Sequence, residues 1–446
     1  MKKYAVFFAV MLSFLLPAQA SAGIQYSLEH EEQIARVGDL PLSRTLLDIF
    51  LHKQQKAAQA SGRTLTLQTI LQQLLDDALM ADYARTHLSA EQLNPENRVA
   101  FAASVERHNR LVSLLRDYFN DQIVASVNAL PGNNFSSLVQ WNPELNVERL
   151  NALIKLQPGL TIDLTAEQKT AAAGFAVLNT ELAEGGNVSL LDIYQRQNVQ
   201  GRLALQSGNL DYLQQQTRLY VGGLYVLNWS KKQLSAEDWQ ALQQVILNQE
   251  HRLRLMESMG INMDIHDDNP ALRARAATIT DAELRAGYDE HKDDFRVVER
   301  AKVRHIRLAD QAQADAVVAE IRGGLSFADA VKRYSIAADK DNGGELGWLK
   351  RGEKDRTWLH SVAFVQPEGQ VSPAFRSPQN EGDVVYEILW VDERVDGYLP
   401  LSDEGVRYEL SHELARAALQ QDLQTLQKKL RNEANIQLNR RLKPQS

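Results

Sequence analysis

The 446-residue chain contains no cysteine. That absence excludes disulfides, thiolate nucleophiles, iron–sulfur clusters, cysteine-ligated zinc and a lipid-modified cysteine. A basic excess is also missing, because 49 Lys and Arg stand against 57 Asp and Glu, for a net charge of −8. Binding nucleic acid needs a basic face to meet the phosphates, so nucleic acid is not an expected partner. No segment offers 18 consecutive apolar residues, which excludes a membrane-spanning helix by length. The G-x-S-x-G elbow, the phosphate-cradling G-x-x-x-x-G-K-[ST], the dinucleotide G-x-G-x-x-G and H-E-x-x-H are all absent, and the ten histidines are scattered. No cofactor is expected.

What is present begins with a leader. Lys2 and Lys3 precede the apolar run from Tyr4 to Leu16, which Pro17 ends. Small residues follow at the cleavage spacing, in Ala18-Gln19-Ala20 or Ala20-Ser21-Ala22. This is the pattern of a secretory signal peptide over residues 1–22. The mature protein is expected to be exported and soluble, with no stable membrane insertion. At 44% hydrophobic and 24% charged residues it is globular, and at this length it can bury a core without disulfide staples.

Residues 34–128 read as helical. Ile70, Leu71, Leu74, Leu75, Ala78 and Leu79 form one apolar stripe, and Leu111, Leu114, Leu115, Tyr118 and Phe119 form another. Breaks occur at Leu130-Pro131-Gly132 and at Gln157-Pro158-Gly159. Thr165 with Gln168 fits a capping box, and Ser235 fits an N-cap flanked by Leu234 and Trp239. The expectation is a helical region over 23–128 and a second over 129–275. The acidic stretch Asp264–Asp268, with His266 inside it, carries oxygen and imidazole groups that could ligate a metal. The better reading is that Asn269 caps a helix beginning at Pro270.

From Thr280 the pattern changes. Thr280 and Glu283 form a capping box for a linker helix within 276–298. Val303–Leu308 alternates like a strand, and helices follow at about 311–322 and 326–334. Then come a glycine-rich turn at Gly343-Gly344 and two further strands, near Val371–Ser377 and Asp383–Val391. The mixture indicates a compact α+β domain. Residues 394–446 return to a long amphipathic helix, whose stripe runs from Val406 to Leu430, and a short strand near Asn435–Asn439. Packing of that helix against the N-terminal helices of the same chain is the simplest expectation.

Over about 299–393 the α+β segment resembles the parvulin-type, PpiC-like peptidyl-prolyl isomerase domain, which implies an antiparallel sheet with helices. Arg304-His305-Ile306-Arg307-Leu308 is similar to the strand that opens that domain. Gly324–Val331 resembles its G-x-x-F-x-x-L-A helix start, and Tyr334-Ser335 its Y-S pair. Gly343–Trp348 resembles its G-G-D-L-G-W signature, and Gly369–Pro373 its G-E-V-S-x-P. The plan of the chain, with a helical region ahead of this domain and a long helix after it, resembles SurA-like periplasmic folding factors.

The resemblance implies a site containing two histidines, a cysteine or aspartate, and an apolar pocket for the proline ring. The first histidine falls on His305. The pocket positions fall on Leu346 and Trp358. Glu387 stands in place of the second histidine, Ala337 stands at the cysteine or aspartate position, and Lys354 at a further pocket position. His305 has two readings: it orients a prolyl carbonyl, or it is a core histidine bonded across the sheet to Glu387 and held charged. The resemblance implies a periplasmic folding factor that binds unfolded or extended exported proteins, outer-membrane proteins among them. The departures imply a prolyl isomerase domain of weak or lost activity. A fully active isomerase remains open, as does a non-enzymatic adaptor in a secretion or envelope-assembly complex.

Overall fold

The computed structural model describes residues 24–95, 99–156, 162–261, 269–354, 357–378 and 383–443. The expected signal peptide and the Asp264–Asp268 cluster lie outside the described residues. The strands are β1 (Ile24–Leu28), β2 (Gln33–Val37), β3 (Leu40–Ser43), β4 (Gln140–Trp141), β5 (Ala176–Asn179), β6 (Asn187–Ser189), β7 (Arg296–Leu308), β8 (Glu345–Lys350), β9 (Phe375–Arg376), β10 (Tyr386–Tyr398) and β11 (Ile436–Asn439). The chain forms two compact units. One comprises the residues up to Ala271 together with those from Leu419 onward, and the other is Leu272–Ala418. The second is thus inserted into the sequence of the first.

In the first unit, α1 (Arg44–Ala60), α2 (Leu67–His87), α3 (Ala103–Tyr118), α4 (Leu210–Lys231) and α5 (Ala236–Ser258) supply most of the core. Ile70, Leu74 and Ala78 of the first apolar stripe are buried with Leu111, Leu114 and Leu115 of the second, and with Leu242 and Val245 of α5. Starts follow side-chain chemistry. Ser43 accepts from Leu46 N–H at 3.1 Å and Ser235 from Asp238 N–H at 3.0 Å. Thr165 and Gln168 satisfy each other's backbone N–H at 3.2 and 3.1 Å. Asn269 accepts from Ala271 N–H at 2.7 Å, at the start of the helix Pro270–Ala276.

The two mostly helical regions also contain strands. Residues 33–43 are not helical but form the hairpin of β2 and β3, with Val37 opposite Leu40. Its two-residue turn needs the positive φ of Gly38, at +54°. These strands join β1 and β11 in a sheet of order β1-β11-β2-β3. The 129–275 region likewise contains a sheet, β4-β5-β6. Its strands are two to four residues long, too short to display a period-2 pattern.

In the second unit the sheet order is β8-β7-β10-β9, all antiparallel. Alternation along β7 and β10 gives it two different faces. Ile306, Leu308 and Ile388 face one way and are buried with Val317 and Val318 of α6 (Gln311–Arg322) and Phe327 and Val331 of α7 (Phe327–Tyr334). Val303, Leu389 and Val391 lie on the other face, buried with Leu349 and with Leu359 and Ala363 of the short helix Trp358–Ala363. The long final helix, Glu404–Glu433, contributes to each unit in turn. Val406 and Leu410 are buried with Leu284 and Phe295 of the second unit. Leu423 is buried with Met80, Ala84 and Leu255 of the first. Among the described residues no helix is long and apolar enough to cross a membrane.

Candidate functional site

The site lies on the Val303–Leu389 face of the second sheet. Antiparallel register sets His305 opposite Leu389 and Arg307 opposite Glu387. Residues two apart on a strand share a face, so His305, Arg307 and Glu387 come together by strand geometry alone. His305 Nδ1 lies 2.7 Å from Glu387 Oε2, and Arg307 Nε donates to Glu387 Oε1 at 2.6 Å. Glu387 is fully buried and His305 is 3% exposed. The other ring nitrogen of His305, Nε2, lies 3.0 and 3.1 Å from the two oxygens of Asp339.

Asp339 reaches the ring because of the glycine turn. Gly344 sits at φ +66°, and a Cβ there would stand 2.2 Å from the carbonyl oxygen of His305. Only glycine allows that approach. His305 N–H donates to Gly344 O at 2.8 Å, and Gly344 N–H donates to Asp339 O at 3.0 Å. The turn therefore docks on the backbone of His305 and carries Asp339 with it. A second tether lies alongside. Ser335 Oγ accepts from Arg307 N–H at 3.3 Å and Ala337 N–H at 3.2 Å, and Ile336 N–H donates to Arg307 O at 2.9 Å. This segment occupies the flank of β7 beyond the point where β8 pairs with it, at Arg304–Glu345.

The electrostatics follow from this geometry. Burial alone lowers the His305 pKa, but the hydrogen bond and charge of Glu387, with the charge and hydrogen bond of Asp339, outweigh it and raise the pKa above the usual histidine value. A carboxyl group at each nitrogen favours the imidazolium, which donates from both N–H groups. Signs alternate along Arg307, Glu387, His305 and Asp339, so the buried carboxylate and the buried ring neutralise each other.

The apolar positions gather beside this chain of charges. Leu346 and Trp358 are partly buried and pack against the cluster that contains Val303, Leu359, Phe364 and Leu389. His305, Glu387, Leu346 and Trp358 thus belong to one face of one sheet. Ala337 is buried and has no functional side chain. A carboxyl group nevertheless reaches His305 from Asp339, two residues later. The loop between Ser335 and the glycine pair carries two acidic residues, Asp339 and Asp341, and the sequence does not say which of them does so. Lys354 is exposed, while Leu359 is buried in the apolar cluster on this face.

Part of the chain is similar to known proteins. Residues 279–407 match the model of the PPIC-type PPIase domain. The chain is 34% identical over 128 residues to the foldase protein PrsA of Caldanaerobacter subterraneus, covering 27% of this chain and 40% of the relative. It is 29% identical over 153 residues to PrsA of Bacillus subtilis, covering 34% of this chain and 48% of the relative. With the chaperone SurA of Methylobacillus flagellatus it shares 34% identity over 91 residues, 20% of each chain. The chain spans less than half the length of the PrsA proteins it matches. The segment 279–407 is a PPIC-type peptidyl-prolyl isomerase domain, set within a longer α+β chain.

Proposed function

We propose that this protein is an exported folding factor, acting in the periplasm, whose isomerase domain turns over X–Pro bonds weakly. The observation that carries the reading is the His305 ring, held between the carboxyl groups of Glu387 and Asp339 on the sheet face that also packs Leu346, Trp358 and Leu359. Rotation about an X–Pro amide meets a barrier of about 18–20 kcal/mol because resonance must be broken. Catalysis needs no covalent step. It needs a site that favours the twisted amide, with an apolar wall for the ring and a placed donor for the carbonyl.

Leu346 and Trp358 form the wall, and His305 Nε2–H is the donor. Weakness has a geometric reason: His305 is nearly inaccessible and Asp339 already occupies that N–H. A peptide carbonyl must displace the Asp339 carboxylate before it can be bound. The relatives named foldase and chaperone support a folding role, and the leader pattern of residues 1–22 supports export. The clients are unfolded or extended exported proteins, outer-membrane proteins among them.

The test is cis/trans exchange of a proline-containing peptide, followed by NMR with the full mature chain. Enhanced exchange is expected in the wild type and its loss in His305→Ala. A wild type that leaves the exchange rate unchanged ends the enzymatic reading. Suppression of aggregation of an unfolded outer-membrane protein then decides between a binding-only chaperone and an adaptor.

A further inference from the structure

We propose that Arg307 is a positioning residue for the isomerase site, holding the Glu387 carboxylate and, through it, the His305 ring in one orientation. This rests on the isomerase reading above. Glu387 is fully buried, and its two oxygens are divided between two cations: Oε1 takes Arg307 Nε at 2.6 Å and Oε2 takes His305 Nδ1 at 2.7 Å. A carboxylate bonded through one oxygen alone can swing about its last torsion, which is broad and roughly two-fold. Bonded through both, it cannot. The ring of His305 is in turn fixed by the oxygen it faces, so Nε2–H points to Asp339 and to whatever replaces Asp339 when a peptide binds.

The placement of Arg307 fits this role better than a role in the core. Its side chain is 41% exposed, yet it turns Nε inward to a group that is 1% exposed. Its backbone is pinned on both sides, by Ser335 Oγ at the N–H and by Ile336 N–H at the carbonyl. It stands directly opposite Glu387 in the β7–β10 register, with His305 two residues away on the same face. The strand pairing therefore sets the two cations on either side of the carboxylate. Removing the guanidinium would leave a buried carboxylate with a single charged partner, an unfavourable state that reorganisation relieves.

The test compares Arg307→Met and Arg307→Lys with the wild type in the full mature chain. Imidazole nitrogens of His305 are followed by long-range proton–nitrogen NMR, and exchange of a proline peptide gives kcat and KM. In Arg307→Met the doubly protonated, slowly exchanging signals of His305 should broaden or split, and kcat should fall roughly ten- to hundred-fold with KM nearly unchanged. Arg307→Lys should recover part of both. Wild-type ring signals in Arg307→Met overturn the proposal, whatever happens to kcat. Should Arg307→Met lose its cooperative melt, Arg307→Gln takes its place, and wild-type ring signals there overturn the proposal equally. If the wild type does not accelerate exchange, the isomerase reading fails while the ring signals still decide what Arg307 does.

Discussion

Two carboxylates favour the charged form of His305, and a guanidinium holds one of them. Glu387 holds Nδ1, Asp339 holds Nε2, and Arg307 holds Glu387. Asp339 supplies both a charge and a hydrogen bond that raise the His305 pKa. In Asp339→Ala the titration midpoint of the His305 ring, read by NMR, should therefore move down from its wild-type position. The sign for stability follows from linkage. A histidine whose folded pKa is raised contributes stability that is fully present below its unfolded value, about 6.5, and is lost as pH rises through the folded value. The wild type should lose Tm relative to His305→Gln across that alkaline window. In Asp339→Ala the loss should fall at lower pH. A Tm difference that does not change with pH would contradict the charged state.

At the scale of elements, the glycine turn shows how a loop delivers a functional group to a strand. Its sequence signature, Gly343-Gly344-Glu345-Leu346-Gly347, is conspicuous, but its purpose lies in one backbone contact. A methyl group at position 344 would meet the His305 carbonyl at 2.2 Å, and the backbone there is left-handed. Gly344→Ala is expected to cost on the order of 2–4 kcal/mol, read as a lower urea midpoint for the second unit. It should also weaken the Asp339–His305 contact, since the turn can no longer dock. The helix starts were legible from single residues: the capping boxes at Thr165 and Thr280 are formed as their sequences require. The three-stranded sheet of β4, β5 and β6 was not legible. Its strands are too short for periodicity, and only their mutual pairing makes them strands.

For the whole molecule, the most consequential pairing joins the two ends of the described chain. β11 lies between β1 and β2, parallel to the first and antiparallel to the second. Ile24 pairs with Ile436, so the first unit cannot complete this sheet until the last strand exists. Ile436 and Leu438 are buried in its core, and the Asn439 side chain donates to His30 O and Gln33 O at 2.9 Å each. Ending the chain after Glu433 removes a central strand and two buried side chains worth about 1.5–3 kcal/mol each. The truncated protein should lose the cooperative melt of the first unit and become protease-sensitive within 24–95. The second unit keeps its own core in residues 284–410 and should melt as before. Retention of a wild-type melt in the first unit would show that β11 is dispensable.

Composition and pattern alone settled a good deal about this protein. His305, Leu346, Trp358 and Glu387 were singled out only by resemblance to a known domain family, whereas the lack of cysteine, the acidic balance, the helix caps and the α+β texture after Thr280 can be read along the chain directly. These are local properties, carried by neighbours a few residues apart. Folding decided the rest, because it depends on residues far apart in sequence. Asp339 became the second partner of His305 only when the glycine turn docked on β7. Arg307 became a partner of Glu387 only through the register of β7 against β10, 80 positions away. At the position where the family resemblance implies cysteine or aspartate, the chain has Ala337. Tertiary structure set a carboxyl group beside His305 by bringing in Asp339, two residues further along the loop.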